Sequence, residues 1–229
     1  MVKLRQEDIK TKEVLSWKGI HLFHFTFSAC SMKTRIFMGL KKIDYTGHHI
    51  NLQKKENFSP YFQGITPRSL VPVLVDDGEV HIESNDILKY LDNKFPATTL
   101  IPVDKEEEIN RMMIEENDLH FDIRNVTFKF LVPKFLNKVK IQEKSASKAT
   151  LHGNEDSEDD ANRKFWENYK KVGITDEVAT KSLLNLKLHL DEINEKLTHH
   201  TYILGNELTL PDIAWFIYCL LYTSDAADD

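Results

Sequence analysis

The sequence predicts an α/β half followed by an all-α half, on two observations. From Ser69 to Leu91, two short β-branched runs flank Asp77-Gly78, and the second ends in Glu83-Ser84 at the start of a helical pattern. That is a hairpin feeding a helix. Beyond a linker at residues 97–102, apolar residues recur only at helical spacing. The hairpin would supply a strand edge beside Val71, a carboxylate at Glu83 and a hydroxyl plus amide at Ser84. Such a set suits a small peptide carrying an amine and carboxylates.

The earlier elements follow from alternation and its interruptions. His21 to Phe27 alternates as a half-buried strand does, and Ser28-Ala29-Cys30-Ser31 breaks it before a helix whose face carries Ile36, Phe37 and Leu40. Lys41-Lys42 suits the last turn of that helix. Tyr45 to Leu52 reads as a second strand. Lys54 to Ile65 reads as polar and irregular, with Pro60 and Gly64 as breakers. The hairpin and its helix close at Lys94-Phe95-Pro96. The order β-α-β, connector, β-β-α is that of a thioredoxin-like N-terminal domain, expected over residues 21–96.

The helical C-terminal domain is expected over residues 104–218. Ile109, Met112, Met113, Leu119, Ile123, Val126 and Phe130 predict one long amphipathic helix ending at Pro133. Residues 138–160 shift to polar composition, and the acidic run Glu155 to Asp160 reads as part of a solvated insertion. Helical spacing resumes at Phe165 and again from Leu183 to Leu197. Thr209-Leu210-Pro211-Asp212 has a capping pattern, with Thr209 as N-cap and Asp212 returning a hydrogen bond, and it opens a helix expected to be buried.

The closing stretch, Cys219 to Asp229, resembles translated sequencing-adapter sequence more than a protein segment. The expectation is a natural message truncated near Tyr218, an incomplete helical bundle, exposed apolar surface and poor solubility.

Composition narrows the function classes. Hydrophobic residues at 41% and charged residues at 29% describe a soluble globular chain, and no apolar run approaches the roughly 18 residues of a spanning helix. The first twenty residues lack the apolar core of a secretory signal, so cytoplasm is the expected compartment and no membrane partner is implied. Two distant cysteines, Cys30 and Cys219, make no disulfide framework. A formal net charge of -6 argues against a nucleic-acid partner. The adjacent pairs His48-His49 and His199-His200 lack the spacing of a helical metal site, and no metal is expected.

Several residues carry two readings on local sequence. Val71-Pro72 stands at a strand entry, where a trans proline fits only an edge or a first position; a cis bond is the sharper reading. Glu83-Ser84 is either a ligand anchor or a helix start with Ser84 as N-cap. His120 and Arg124, one helical turn apart, line a pocket or form a solvated stripe.

The segment from His21 to Pro96, followed by a helical half containing Tyr202-Ile203-Leu204-Gly205-Asn206-Glu207-Leu208-Thr209-Leu210-Pro211-Asp212-Ile213-Ala214, resembles the cytosolic glutathione S-transferases. Features of the zeta, omega and theta classes are mixed. The resemblance implies that Val71 pairs through its backbone with the cysteinyl part of glutathione. It further implies that Glu83 holds the γ-glutamyl ammonium and Ser84 the adjoining carboxylate. Arg68 would reach the glycyl carboxylate, although on sequence alone it reads as a surface arginine.

In the loop before the first helix, Ser28 falls where serine-type classes carry their hydroxyl and omega-like classes a cysteine. A hydroxyl there would favour the glutathione thiolate, helped by the positive end of the helix. The alternative is a simple turn or N-cap serine. Cys30 occupies a position where zeta-like classes also carry cysteine after paired serines, but Ala29 replaces the second serine, a departure from zeta-type isomerase chemistry. Cys30 is either a structural thiol or a redox group.

The implied protein is a homodimeric glutathione transferase, with glutathione as co-substrate, acting on a small apolar electrophile in a cleft lined partly by the long helix. Two alternatives stand beside it. One is a glutathione-dependent thiol transferase or dehydroascorbate reductase using Cys30. The other is a non-catalytic binding protein of the same fold.

Overall fold

The computed structural model describes residues 2–131 and 150–223. Among them are two compact units, one of residues 2–99, 150–160 and 219–223, the other of residues 100–131 and 161–218.

The first unit is built on a five-stranded sheet: β1 (Val2–Lys3), β2 (Ile20–His24), β3 (Thr46–His49), β4 (Val73–Asp76) and β5 (Glu79–Ile82). Their spatial order is β1-β5-β4-β2-β3, with β2 and β3 parallel and the other pairs antiparallel. Central β4 is buried along its whole length, as the apolar run Val73 to Val75 requires, and its last residue, Asp76, accepts from the Tyr90 hydroxyl at 2.7 Å. Phe23, Val73, Val75, Val80 and Ile82 share a buried cluster with Phe62 and Ile65. Helices α1 (Ala29–Leu40) and α3 (Ser84–Lys94) pack on each other, joined by a 2.6 Å hydrogen bond from Lys33 to Asn85.

Residues ahead of position 21 belong to this unit. Strand β1 pairs with β5, its Val2 amide donates to Asp86 of α3, and Leu4, Ile9 and Val14 enter the core. A two-residue strand and a 3-10 turn (Lys12–Ser16) have no period long enough to read from sequence.

The connector expected to be irregular contains a helix, α2 (Pro60–Ile65). Pro60 opens it rather than breaking it, because a first-turn position needs no amide donor, and the Ser59 hydroxyl accepts from the Phe62 amide.

The second unit is helical, as expected, but its first helix is not continuous. Helix α4 (Glu106–Asp118) ends at Leu119, α5 (His120–Val126) follows, and a π-helical stretch covers Thr127–Leu131. The stop expected at Pro133 lies outside the described residues.

Residues 150–160, expected as solvated insertion, are ordered against the first unit. Strands β6 (Thr150–Leu151) and β7 (Asn154–Glu155) form a hairpin, Leu151 packs on the core, and α6 (Ser157–Val172) begins directly after. The remainder of that insertion, residues 138–149, lies outside the described residues.

The second unit also contains α7 (Asp176–His199), capped by Thr175, and α8 (Leu210–Thr223) as far as Tyr218. The α8 start matches its capping pattern: Asp212 accepts from the Thr209 amide and hydroxyl, each at 2.8 Å, and from the Ile203 amide at 2.7 Å. Ile213, Ala214, Trp215 and Ile217 are buried while Phe216 is 51% exposed. Helix α8 continues through residues 219–223, the beginning of the expected tail, whose residues 224–229 lie outside the described ones.

Candidate functional site

Five of the residues singled out in the sequence sit where helices or strands of the first unit begin. Ser28 is the N-cap of α1: its backbone is extended, and its hydroxyl oxygen accepts from the Ser31 amide at 3.3 Å. The loop before it is held by the Ser28 amide on the Phe25 carbonyl and by the buried Ser31 hydroxyl, which accepts from the Phe25 amide. An accepting hydroxyl keeps its own O–H to donate. The N-cap role and a role toward a ligand sulfur are therefore compatible. Cys30 is the second residue of the same helix and half-buried.

Val71 is half-buried two residues ahead of β4, and the Val71-Pro72 bond is cis. Glu83 stands at the N-cap position of α3 with φ of 68°, a left-handed conformation that costs a non-glycine residue about 1–3 kcal/mol. Ser84 is the first residue of α3 and is buried, so Glu83 and not Ser84 occupies the cap position. A half-buried carboxylate at the positive end of a helix can meet an ammonium while the first-turn amides meet a carboxylate beside it.

Arg68 corrects one expectation. It is buried, not a surface residue, with a relative exposure of 5%. Its Nε and Nη2 form a bidentate pair with Asp156 at 2.5 and 3.0 Å, and Nη1 meets Glu158 at 2.5 Å and also Glu83. Burial works against the guanidinium charge, but the Asp156 hydrogen bond and the Glu83, Glu158 and Asp156 charges outweigh it and raise the pKa. A glycyl carboxylate brought here would meet three anions. Arg68 stands beside Glu83.

Asp156 and Glu158 were missed because an acidic run ordinarily marks a solvated face. Only Gly153, ahead of them, marks a turn in that stretch.

His120 and Arg124 belong to the second unit and are not a free solvated stripe. The Arg124 guanidinium lies over the rings of Phe121, Phe165 and Trp166 at 5.0–5.5 Å and donates to Asn162 at 2.6 Å. His120 lies 3.4 Å from buried Glu116. No helix among the described residues is long and apolar enough to cross a membrane.

A β-α-β, β-β-α sheet unit with a cis proline at the entry to its central strand, followed by a helical unit, defines a thioredoxin-like domain joined to a helical domain. Residues 22–99 match the family described as glutathione S-transferase, N-terminal domain. A zeta-class glutathione S-transferase of Euphorbia esula is 40% identical over 85 residues, 37% of this chain and 38% of that protein. Glutathione S-transferase TCHQD of Arabidopsis thaliana is 26% identical over 206 residues, 85% of this chain and 73% of that protein. The solved structure of beta-etherase LigF from Sphingobium sp. strain SYK-6 superposes with a TM-score of 0.70 at 22% identity, covering 87% of this chain and 82% of that one, a likeness of fold. Residues 22–99 thus carry a glutathione S-transferase N-terminal domain, and the fold of the described residues is that of the solved structure above. The chain's match to the zeta-class relative spans about two fifths of that protein's length.

Proposed function

We propose that the protein is a glutathione S-transferase that stabilises the thiolate of glutathione for attack on a small apolar electrophile. The observation that carries this reading is Ser28 at the N-cap of α1. Its O–H can donate to a sulfur at the positive end of a twelve-residue helix. A hydrogen bond to a charged group contributes about 1.5–3 kcal/mol. That corresponds to about one to two units of thiol pKa, enough to bring a thiol from about 8.5 toward neutrality.

In this reading Val71 pairs by its backbone with the cysteinyl residue, Glu83 takes the γ-glutamyl ammonium, and Ser84 takes the neighbouring carboxylate. The names of the relatives, zeta-class and TCHQD glutathione S-transferases, support glutathione as co-substrate. Cys30 supports a rival reading, thiol transfer or dehydroascorbate reduction, because it shares the same helix start.

The two are separated by Ser28→Ala and Cys30→Ser, assayed for conjugation across an electrophile panel and for disulfide reduction. Ser28→Ala is expected to lower conjugation kcat/KM by about 10- to 100-fold and to raise the pKa in its pH profile. Cys30→Ser should leave both quantities near wild type. Loss of disulfide reduction in Cys30→Ser, with Ser28→Ala unaffected, would establish the rival. Tight glutathione binding with no turnover in either assay would make the protein a binding module.

A further inference from the structure

Residues 150–160 form a strap held on the first unit at three points. Leu151 packs on the core, the His152 amide donates to Asp8 at 3.2 Å, and Asp156 takes the Arg68 guanidinium in a bidentate pair. The same Asp156 carboxylate accepts from the Glu158 and Asp159 amides at 3.1 and 3.4 Å, so it also caps the start of α6. That cap sets Glu158 against Arg68 Nη1, the nitrogen that donates to Glu83.

One buried guanidinium therefore faces three carboxylates. Paired with Glu83 alone, a buried arginine would hold that carboxylate in a closed ion pair and repel any second cation, since opposite charges in a partly desolvated site attract far more strongly than in water. Asp156 occupies two of the guanidinium nitrogens along one edge, and Glu158 shares the third nitrogen with Glu83. The positive charge is divided, and the surroundings of Glu83 favour an additional cation.

We infer, resting on the glutathione reading above, that the strap makes Glu83 selective for an amine. Asp156 and Glu158 are positioning residues that share the Arg68 charge with Glu83 and offset it, so that the α-ammonium of a γ-glutamyl peptide is favoured there. Arg68 is the element through which the strap acts and not a ligand of the peptide's carboxylates.

The test is calorimetric binding of two peptides to the full chain: glutathione and glutaryl-cysteinyl-glycine, which lacks only the ammonium. Wild type is expected to bind glutathione at least about tenfold more tightly, and Glu83→Gln to abolish that preference. Glu158→Gln should weaken glutathione about threefold and Asp156→Asn about tenfold, with the des-amino peptide unchanged in both. Adding Arg68→Gln to Asp156→Asn should restore the preference. Equal loss for both peptides in Glu158→Gln, or no loss, would overturn the inference. Glu158 is 57% exposed, so that variant decides the matter even if Asp156→Asn does not fold. Wild type without any preference for the amine would instead refute the assignment of Glu83 to glutathione, and the strap's role with it.

Discussion

The first unit contains two hairpins closed by the same kind of turn, and they differ in almost everything else. Asp77-Gly78 joins β4 to β5 with φ of 48° and 85°; His152-Gly153 joins β6 to β7 with φ of 54° and 81°. Both are two-residue turns with positive φ at each position, the geometry that matches strand twist. The flanks separate them. Val73, Leu74, Val75, Val80, His81 and Ile82 are buried, and their strands sit inside the five-stranded sheet. The second hairpin has two residues per strand and relies on Leu151, Asp8 and the Arg68 cluster. Turn chemistry thus closes a hairpin, while burial of its flanks decides whether the hairpin organises a fold or rests on one.

Substituting the two glycines is the most direct way to break this contrast. A Cβ on Gly78 would lie 2.2 Å from the Leu15 carbonyl oxygen, a backbone atom that cannot rotate away. With its positive φ as well, Gly78→Ala is expected to cost about 3 kcal/mol or more, read as a lower midpoint in denaturant unfolding.

Removing an anchor of the strap comes next in size. Asp8→Ala deprives the His152 amide of its acceptor and should cost about 1–2 kcal/mol. Native-state hydrogen exchange should accelerate at residues 151–155 and stay unchanged at residues 73–82. Equal acceleration in both hairpins would show the strap to be part of the sheet's cooperative unit. The smallest effect is expected at Gly153, where nothing lies within 4 Å of an added Cβ. Gly153→Ala should cost only about 1 kcal/mol, from conformation alone, and a loss as large as that of Gly78→Ala would erase the distinction.

The same contrast explains what was legible. The 73–82 hairpin declares itself through β-branched runs around Asp-Gly, and the α8 start through Thr209 and Asp212, because both signals are local. Ser28 reads equally well as a cap or as a catalytic residue, and its geometry accommodates both. Arg68 was misread as a surface residue because its partners lie 15, 88 and 90 positions away. The 150–160 strap was read as solvated because the arginine that Asp156 and Glu158 meet is distant in the chain. Helix α2 was hidden by treating Pro60 as a breaker, and the division of the long helix at Leu119 leaves no mark in its apolar spacing.

Local patterns determined the order of elements, the hairpin, the capped helix starts and the resemblance that points to glutathione, since turns, caps and short periodicities are governed by neighbours in the chain. Tertiary structure alone decided that β1 completes the sheet, that Arg68 is buried, and that Asp156 and Glu158 gather beside Glu83. Burial and charge pairing depend on which distant segments meet, and a carboxylate written in an acidic run looks the same whether it faces water or a guanidinium.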